Sequence, residues 1–182
     1  MRFQLLFFVL SLVMRCTTKA QPKPMAYLRL NYPEAQYTTT EKLGFFTFEQ
    51  NIFAEYTPTT ASNFNLVYPE MKATVYLNYN QVNQNLDSLL NDAYKLPYKH
   101  LSKAESIPER IFVNPQNKVY GTLFTVVGNA ASQYQFFLTD STDHFLVGSL
   151  YFYAKPNYDS IYPAVKYIEK DLVRLMETLQ WN

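Results

Sequence analysis

A chain of 182 residues has room for one domain with a full core, and that length favours one domain over two. Its 16 Lys and Arg balance 15 Asp and Glu, so no basic excess steers it to nucleic acid and no acidic run marks a disordered tail. The 16 Tyr and 14 Phe against 4 Gly favour a packed sheet over a glycine-built phosphate site, and a single cysteine excludes an internal disulfide or a cysteine zinc set.

Met1-Arg2 followed by the apolar run Phe3 to Met14 has the layout of a secretory signal peptide over residues 1–15. That run is too short to span a bilayer, which takes about 20 apolar residues. Cys16 stands where an envelope lipoprotein carries its acylated cysteine, after Val13-Met14-Arg15. Arg15 departs from the small residue expected there. Residues 16–25, with Pro22 and Pro24, then read as an extended tether, and a globular domain follows over residues 26–182.

Tyr27 to Tyr32 alternates and predicts a strand ended by Pro33. Phe45–Glu49, Ile52–Thr57 and Phe64–Tyr68 are short aromatic runs, each a plausible strand. Lys72 to Tyr79 alternates cleanly, with Ala73, Val75, Leu77 and Tyr79 inward. From Asn85, a candidate N-cap, the period becomes helical through Leu86, Leu89, Leu90, Ala93, Leu96 and Leu101. Pro97 predicts a kink or break before Tyr98. His100 follows it, with no second nearby histidine to complete a metal set.

Residues 118–154 predict a three-stranded antiparallel meander whose turns are Gly128-Asn129-Ala130-Ala131-Ser132 and Asp140-Ser141-Thr142-Asp143. Its outer two strands lack a polar face, which assigns them to the middle of a sheet. Ser132, Asp140, Asp143 and His144 are hydrolase residue types, but Ser132 has no Gly-x-Ser-x-Gly elbow, and a strand about 20 Å long separates it from His144. Closing a turn with Asx bonds is the simpler role for the two aspartates. A closing helix follows, with Ser160 as N-cap, Pro163 in the first turn and an apolar stripe of Ile161, Val165, Ile168, Leu172, Leu175 and Leu179. Trp181 closes its end.

The strings Val119-Tyr120-Gly121, Gly128 to Ser132, Gln135 to Ser141, His144-Phe145-Leu146, Leu150-Tyr151-Phe152 and Pro156 to Ile161 together resemble the gliding-motility lipoprotein D (GldD) family of Bacteroidetes. The resemblance extends from about Pro22 to Asn182. It implies an envelope lipoprotein required for gliding motility and associated with type IX secretion, with no catalytic activity and no cofactor. The implied partners are other gliding or secretion envelope proteins and, through a lipid on Cys16, the membrane. The acidic residues that in these bacteria mark a surface-exposed lipoprotein are missing from Thr17 to Gln21, which favours a domain facing the periplasm.

The expected architecture is a single α+β domain, an antiparallel sheet of six or more strands with the C-terminal helix packed on one face, similar in strand order to a PsbP/Mog1 sandwich. The turn residues Asn129, Ser132, Asp140, Asp143 and His144 are the expected protein contacts. Alternative readings are a periplasmic module that binds a lipid or peptidoglycan fragment in an aromatic cleft, and a small hydrolase that needs Ser132 and His144 within hydrogen-bond reach.

Overall fold

The computed structural model describes residues 31–40, 44–155 and 157–182. The expected signal peptide, the tether with Cys16 and residues 27–30 of the first expected strand lie outside them. Asn31 and Tyr32 are described and are not in a strand.

Seven antiparallel strands form the central sheet: β4 (Glu55–Pro58), β5 (Asn63–Tyr68), β6 (Ala73–Gln81), β8 (Glu109–Asn114), β9 (Val119–Thr125), β11 (Ser132–Thr139) and β12 (His144–Phe152). Their order is β4-β5-β6-β12-β11-β9-β8. Two meanders, β4 to β6 and β8 to β12, are thus joined side by side where β12 pairs along the whole of β6, from His144 opposite Gln81 to Phe152 opposite Ala73. Of the two strands expected in the middle, β12 is central and β9 lies one strand in from the β8 edge; β11, between them, is buried at every residue.

Short ribbons surround this sheet. β1 (Tyr37–Thr39) pairs with β3 (Glu49–Asn51), β2 (Phe46–Thr47) with β13 (Gln180–Trp181), and β7 (Ala104–Ser106) with β10 (Val127–Gly128). The aromatic run expected as one strand over Phe45–Glu49 is therefore two, divided at Phe48 between different partners. The strand expected from Ile52 starts at Glu55, because Ile52 and Phe53 form an exposed turn after Asn51. Lys72 precedes β6 in a left-handed conformation, at φ 49°, that closes the 3-10 turn Pro69–Met71.

Helix α1 (Leu86–Tyr98) carries the chain from β6 to the far meander. Asn85 holds the N-cap position, but its Oδ1 accepts from the Asn83 N–H and leaves the helix uncapped by a side chain. The expected break before Tyr98 comes one residue later. Pro97 falls in the last turn, so the helix runs through it and ends at Tyr98. Helix α2 (Tyr158–Thr178) starts earlier than expected, with Asn157 at the N-cap and its Oδ1 accepting from Ser160 N–H. Pro163 consequently lies beyond the first turn.

The two faces of the sheet carry different cores. On one, Leu66, Val75, Leu150 and Tyr134 lie in register across four strands, and Phe64, Leu77, Gly148, Phe136 and Leu123 form the next row. Val165, Ile168, Leu172, Leu175 and Met176 of α2 pack on them, together with Phe46 and Phe48. Gly148 is needed there because the Phe136 ring lies directly over it, where any β-carbon would collide. On the other face, Phe124, Phe137 and Phe145 pack against Ala93, with Leu86, Leu89 and Leu90 of α1 at the margin.

Candidate functional site

The turn residues singled out in the sequence fall into two groups at opposite ends of β11, about 23 Å apart at ~3.3 Å per residue. At one end Ser132 is fully buried, its hydroxyl donating to the Tyr134 carbonyl at 3.3 Å. Exposed Asn129 accepts from the Tyr158 N–H at 2.8 Å, which ties its loop to the start of α2. At the other end Asp140 Oδ1 accepts from the backbone N–H groups of Thr142, Asp143 and His144, each at 2.9 Å, while Oδ2 accepts from the Thr142 hydroxyl. Burial alone would raise the Asp140 pKa; those donors outweigh it and hold the carboxyl at about 2.

His144 stacks on Trp181, centroids 5.0 Å apart and rings 7° from parallel, and its Nδ1 lies 2.9 Å from the Tyr79 hydroxyl. That pairing fastens the end of the chain to the sheet. Ser132 and His144 are not brought together, so no nucleophile and base face one another there. His100 is half-buried, and burial followed by the neighbouring Lys99 lowers its pKa. Among the described residues, no group of three His, Cys, Asp or Glu side chains could hold a metal ion.

A third cluster lies beneath α2. Asp171 is 5% exposed, and its carboxylate accepts from Tyr37 hydroxyl at 2.8 Å, Asn51 Nδ2 at 2.9 Å and Tyr68 hydroxyl at 3.1 Å. Asn51 Nδ2 also donates to the Tyr167 hydroxyl. Desolvation raises the Asp171 pKa, only partly offset by the three donors. Burial, with the same carboxylate as neighbour, pushes the Tyr68 phenol well above its usual value. The Arg174 guanidinium lies over the Tyr37 ring and pairs with Glu49. This network joins β1 and β3 to the helix. Its carboxylate is buried and engaged by three donors, and its chemistry is that of a clamp.

The sequence carries a signal for Asp171. It lies three residues after Ile168 and next to Leu172, on the arc that the stripe predicts to be buried. A carboxylate in that arc must be neutral, paired or hydrogen-bonded.

The face opposite α2 is only partly roofed. Beyond α1, β5, β6 and β12 leave Tyr76, Tyr151 and Tyr153 beside Asn63, Asn78 and Asn80. Tyr76 meets Tyr151 edge to face at 5.8 Å, and its hydroxyl is 2.6 Å from that of Tyr153, which is 65% exposed. Asn78 donates to Asn63, and Asn80 donates to Asn78. Gln135, one strand from Tyr76 across Ser149 and 97% buried, has an Oε1 without a hydrogen-bond partner.

Among the described residues, these arrangements hold the fold at particular points or leave tyrosine and asparagine side chains facing solvent. A comparison with curated proteins found no match. A family model described as gliding motility lipoprotein GldD matches residues 17–181. With nearly the whole chain matched, the protein belongs to the gliding motility lipoprotein GldD family.

Proposed function

We propose that the chain is a noncatalytic envelope component of the gliding apparatus, works by protein contact and is associated with the type IX secretion machinery. Family membership carries a role related to gliding motility and a lipid-anchored location in the cell envelope. No helix among the described residues is long and apolar enough to cross a membrane. In this reading Cys16 bears that lipid, residues 1–15 are removed, and the domain faces the periplasm. The carrying observation is that Ser132 and His144, the chemistry-bearing pair of the central meander, are engaged separately in buried and stacked structural roles. Of the loop positions expected to make contact, Asn129, Asp140, Asp143 and His144 remain proposed, whereas Ser132 is fully buried and offers no surface to a partner.

The test is a deletion strain complemented with the wild-type chain or Cys16→Ala. Deletion is expected to stop gliding and secretion, and Cys16→Ala to abolish acyl labelling. A deletion strain that still glides and secretes would overturn the reading.

The tyrosine and asparagine face supports a second reading, a module for a neutral peptidoglycan fragment or a lipid. Exposed phenol rings offer apolar faces, the amides offer donors and acceptors, and Gln135 Oε1 awaits a donor. Titration with a soluble peptidoglycan disaccharide, monitored by NMR, should shift Tyr76, Tyr153 and Gln135 signals. No shift at millimolar ligand removes the glycan form of this reading.

A further inference from the structure

The two outer strands of the sheet present different edges. On β4, Thr59 N–H donates to the Asn63 carbonyl, so the alternation of an antiparallel ladder turns the backbone groups of Thr57 toward β5 and those of Tyr56 and Pro58 outward. Pro58 has no N–H to offer. A short strand with proline at an outward position is a blunted edge.

On β8, Thr125 N–H donates to the Pro108 carbonyl. By the same alternation, Arg110, Phe112 and Asn114 bond to β9, while the N–H and C=O groups of Glu109, Ile111 and Val113 point away from the sheet. Ile111 is 77% exposed and Val113 61%, and the strand contains no proline. Its outward side has complete donors and acceptors beside two exposed apolar side chains.

We propose that β8 pairs antiparallel with β8 of a second copy of this chain, about a two-fold axis through Phe112, to make one sheet across the dimer. Three observations fit this occupant. First, the register that puts Phe112 opposite Phe112 also puts Ile111 opposite Val113 on both sides of the axis. These are outward-pointing residues that can exchange both backbone hydrogen bonds, and their apolar side chains cover one another.

Second, that register puts Arg110 opposite Asn114 of the copy. Asn114 Nδ2 donates to the Glu177 carbonyl at 3.5 Å, so Arg110 arrives beside the copy's exposed Glu177. Arg110 has no salt bridge with the described residues, nor has Glu177, and the two-fold axis makes the new pair twice.

Third, a groove of about 310 Å³ runs along α2 beside this edge, lined by Arg110, Glu169, Val173 and Glu177 among others. Arg110 acts electrostatically on Glu169, while Asn114 reaches Glu177, so the helix runs alongside the strand with half-buried Val173 level with Phe112. The two-fold axis therefore sets this groove beside that of the copy, with Arg110 and Glu169 of one chain and Glu177 of the other at each end.

The test uses the full-length lipoprotein in intact cells. Residues facing each other across a non-hydrogen-bonded antiparallel pair have Cα atoms about 4.5 Å apart, within disulfide range. Phe112→Cys is expected to give, on mild oxidation, a species of twice the chain mass, while Thr57→Cys on the β4 edge gives none. Arg110→Glu should lower the yield about tenfold, and Arg110→Glu with Glu177→Arg should restore it. Val113→Pro removes an outward N–H without touching β9 and should abolish it. Light scattering of the detergent-solubilised wild type provides the same answer without substitution: a protein mass of two chains is expected.

A monomeric mass, a cross-link only to proteins of other mass, or a yield unchanged by Arg110→Glu and Val113→Pro would each overturn the proposal. Gliding is scored separately in the deletion strain, so loss of the dimer leaves the proposed function standing.

Discussion

The two faces of one sheet have been finished in opposite ways. Under α2 the face is closed by a continuous apolar layer in which Asp171, the one buried carboxylate among the described residues, is fully engaged. On the other side α1 covers only the part built from β9, β11 and β12. Tyrosine and asparagine are left facing solvent over β5 and β6. Burial and hydrogen bonding are concentrated where the chain must hold together, whereas the open face carries side chains that the fold does not require.

This contrast orders the expected effects of substitution. Asp171→Ala should be most damaging, at about 4 kcal/mol in urea unfolding, because the buried polar groups of Asn51 and Tyr68 and the half-buried hydroxyl of Tyr37 would face an empty site. A loss below about 1 kcal/mol would show that the clamp is dispensable. Phe145→Ala, in the smaller core under α1, should cost about 3 kcal/mol by the same measurement. If it costs more than Asp171→Ala, the ranking of the two faces is wrong.

The pH dependence sharpens the comparison further. Asp171 has a folded pKa raised above 3.8 by burial, so its ionisation opposes folding, and stability falls as pH rises from 3.8 through that raised value. Asp140 is the reverse. Held at about 2, it contributes stability above 3.8 that is lost as pH falls toward 2, about 1 kcal/mol once solvent screening is allowed for. Asp140→Asn should flatten the acid limb of a stability profile, and Asp171→Asn should remove the gain on acidification. Profiles that change in the same direction would break the assignment. At the small end, Tyr153→Ala on the open face should change stability by less than about 0.5 kcal/mol.

The central strands and both helices were legible because their signals are local and periodic: alternation in residues 72–79, the two-sided apolar strand ending in Phe152, the stripe from Ile161 to Leu179. The layout of the N-terminal ribbons was not. Phe45 to Glu49 looks like one strand, and only the distant partners β13 and β1 divide it at Phe48. β8 has no such signal. It is an edge strand with exposed Ile111 and Val113, so its apolar residues obey no inward-facing rule. Ser160 was a sound N-cap by residue type, yet Asn157 takes the position because its loop is already tied back through Asn129 and Tyr158. The clamp at Asp171 was hidden for a different reason: Tyr37, Asn51, Tyr68 and Asp171 are up to 134 residues apart, and no local pattern records their meeting.

The clamp also sets a load path. The described chain enters at Asn31, Tyr32 lies against Tyr167 at 5.3 Å, and Tyr37 is bonded to Asp171 under the Arg174 guanidinium. Tension applied upstream of Asn31 therefore reaches α2 before any strand of the large sheet. It is borne by side chains on about two turns of helix, from Tyr167 to Arg174, so the sheet is spared the peeling force that would unzip it one hydrogen bond at a time.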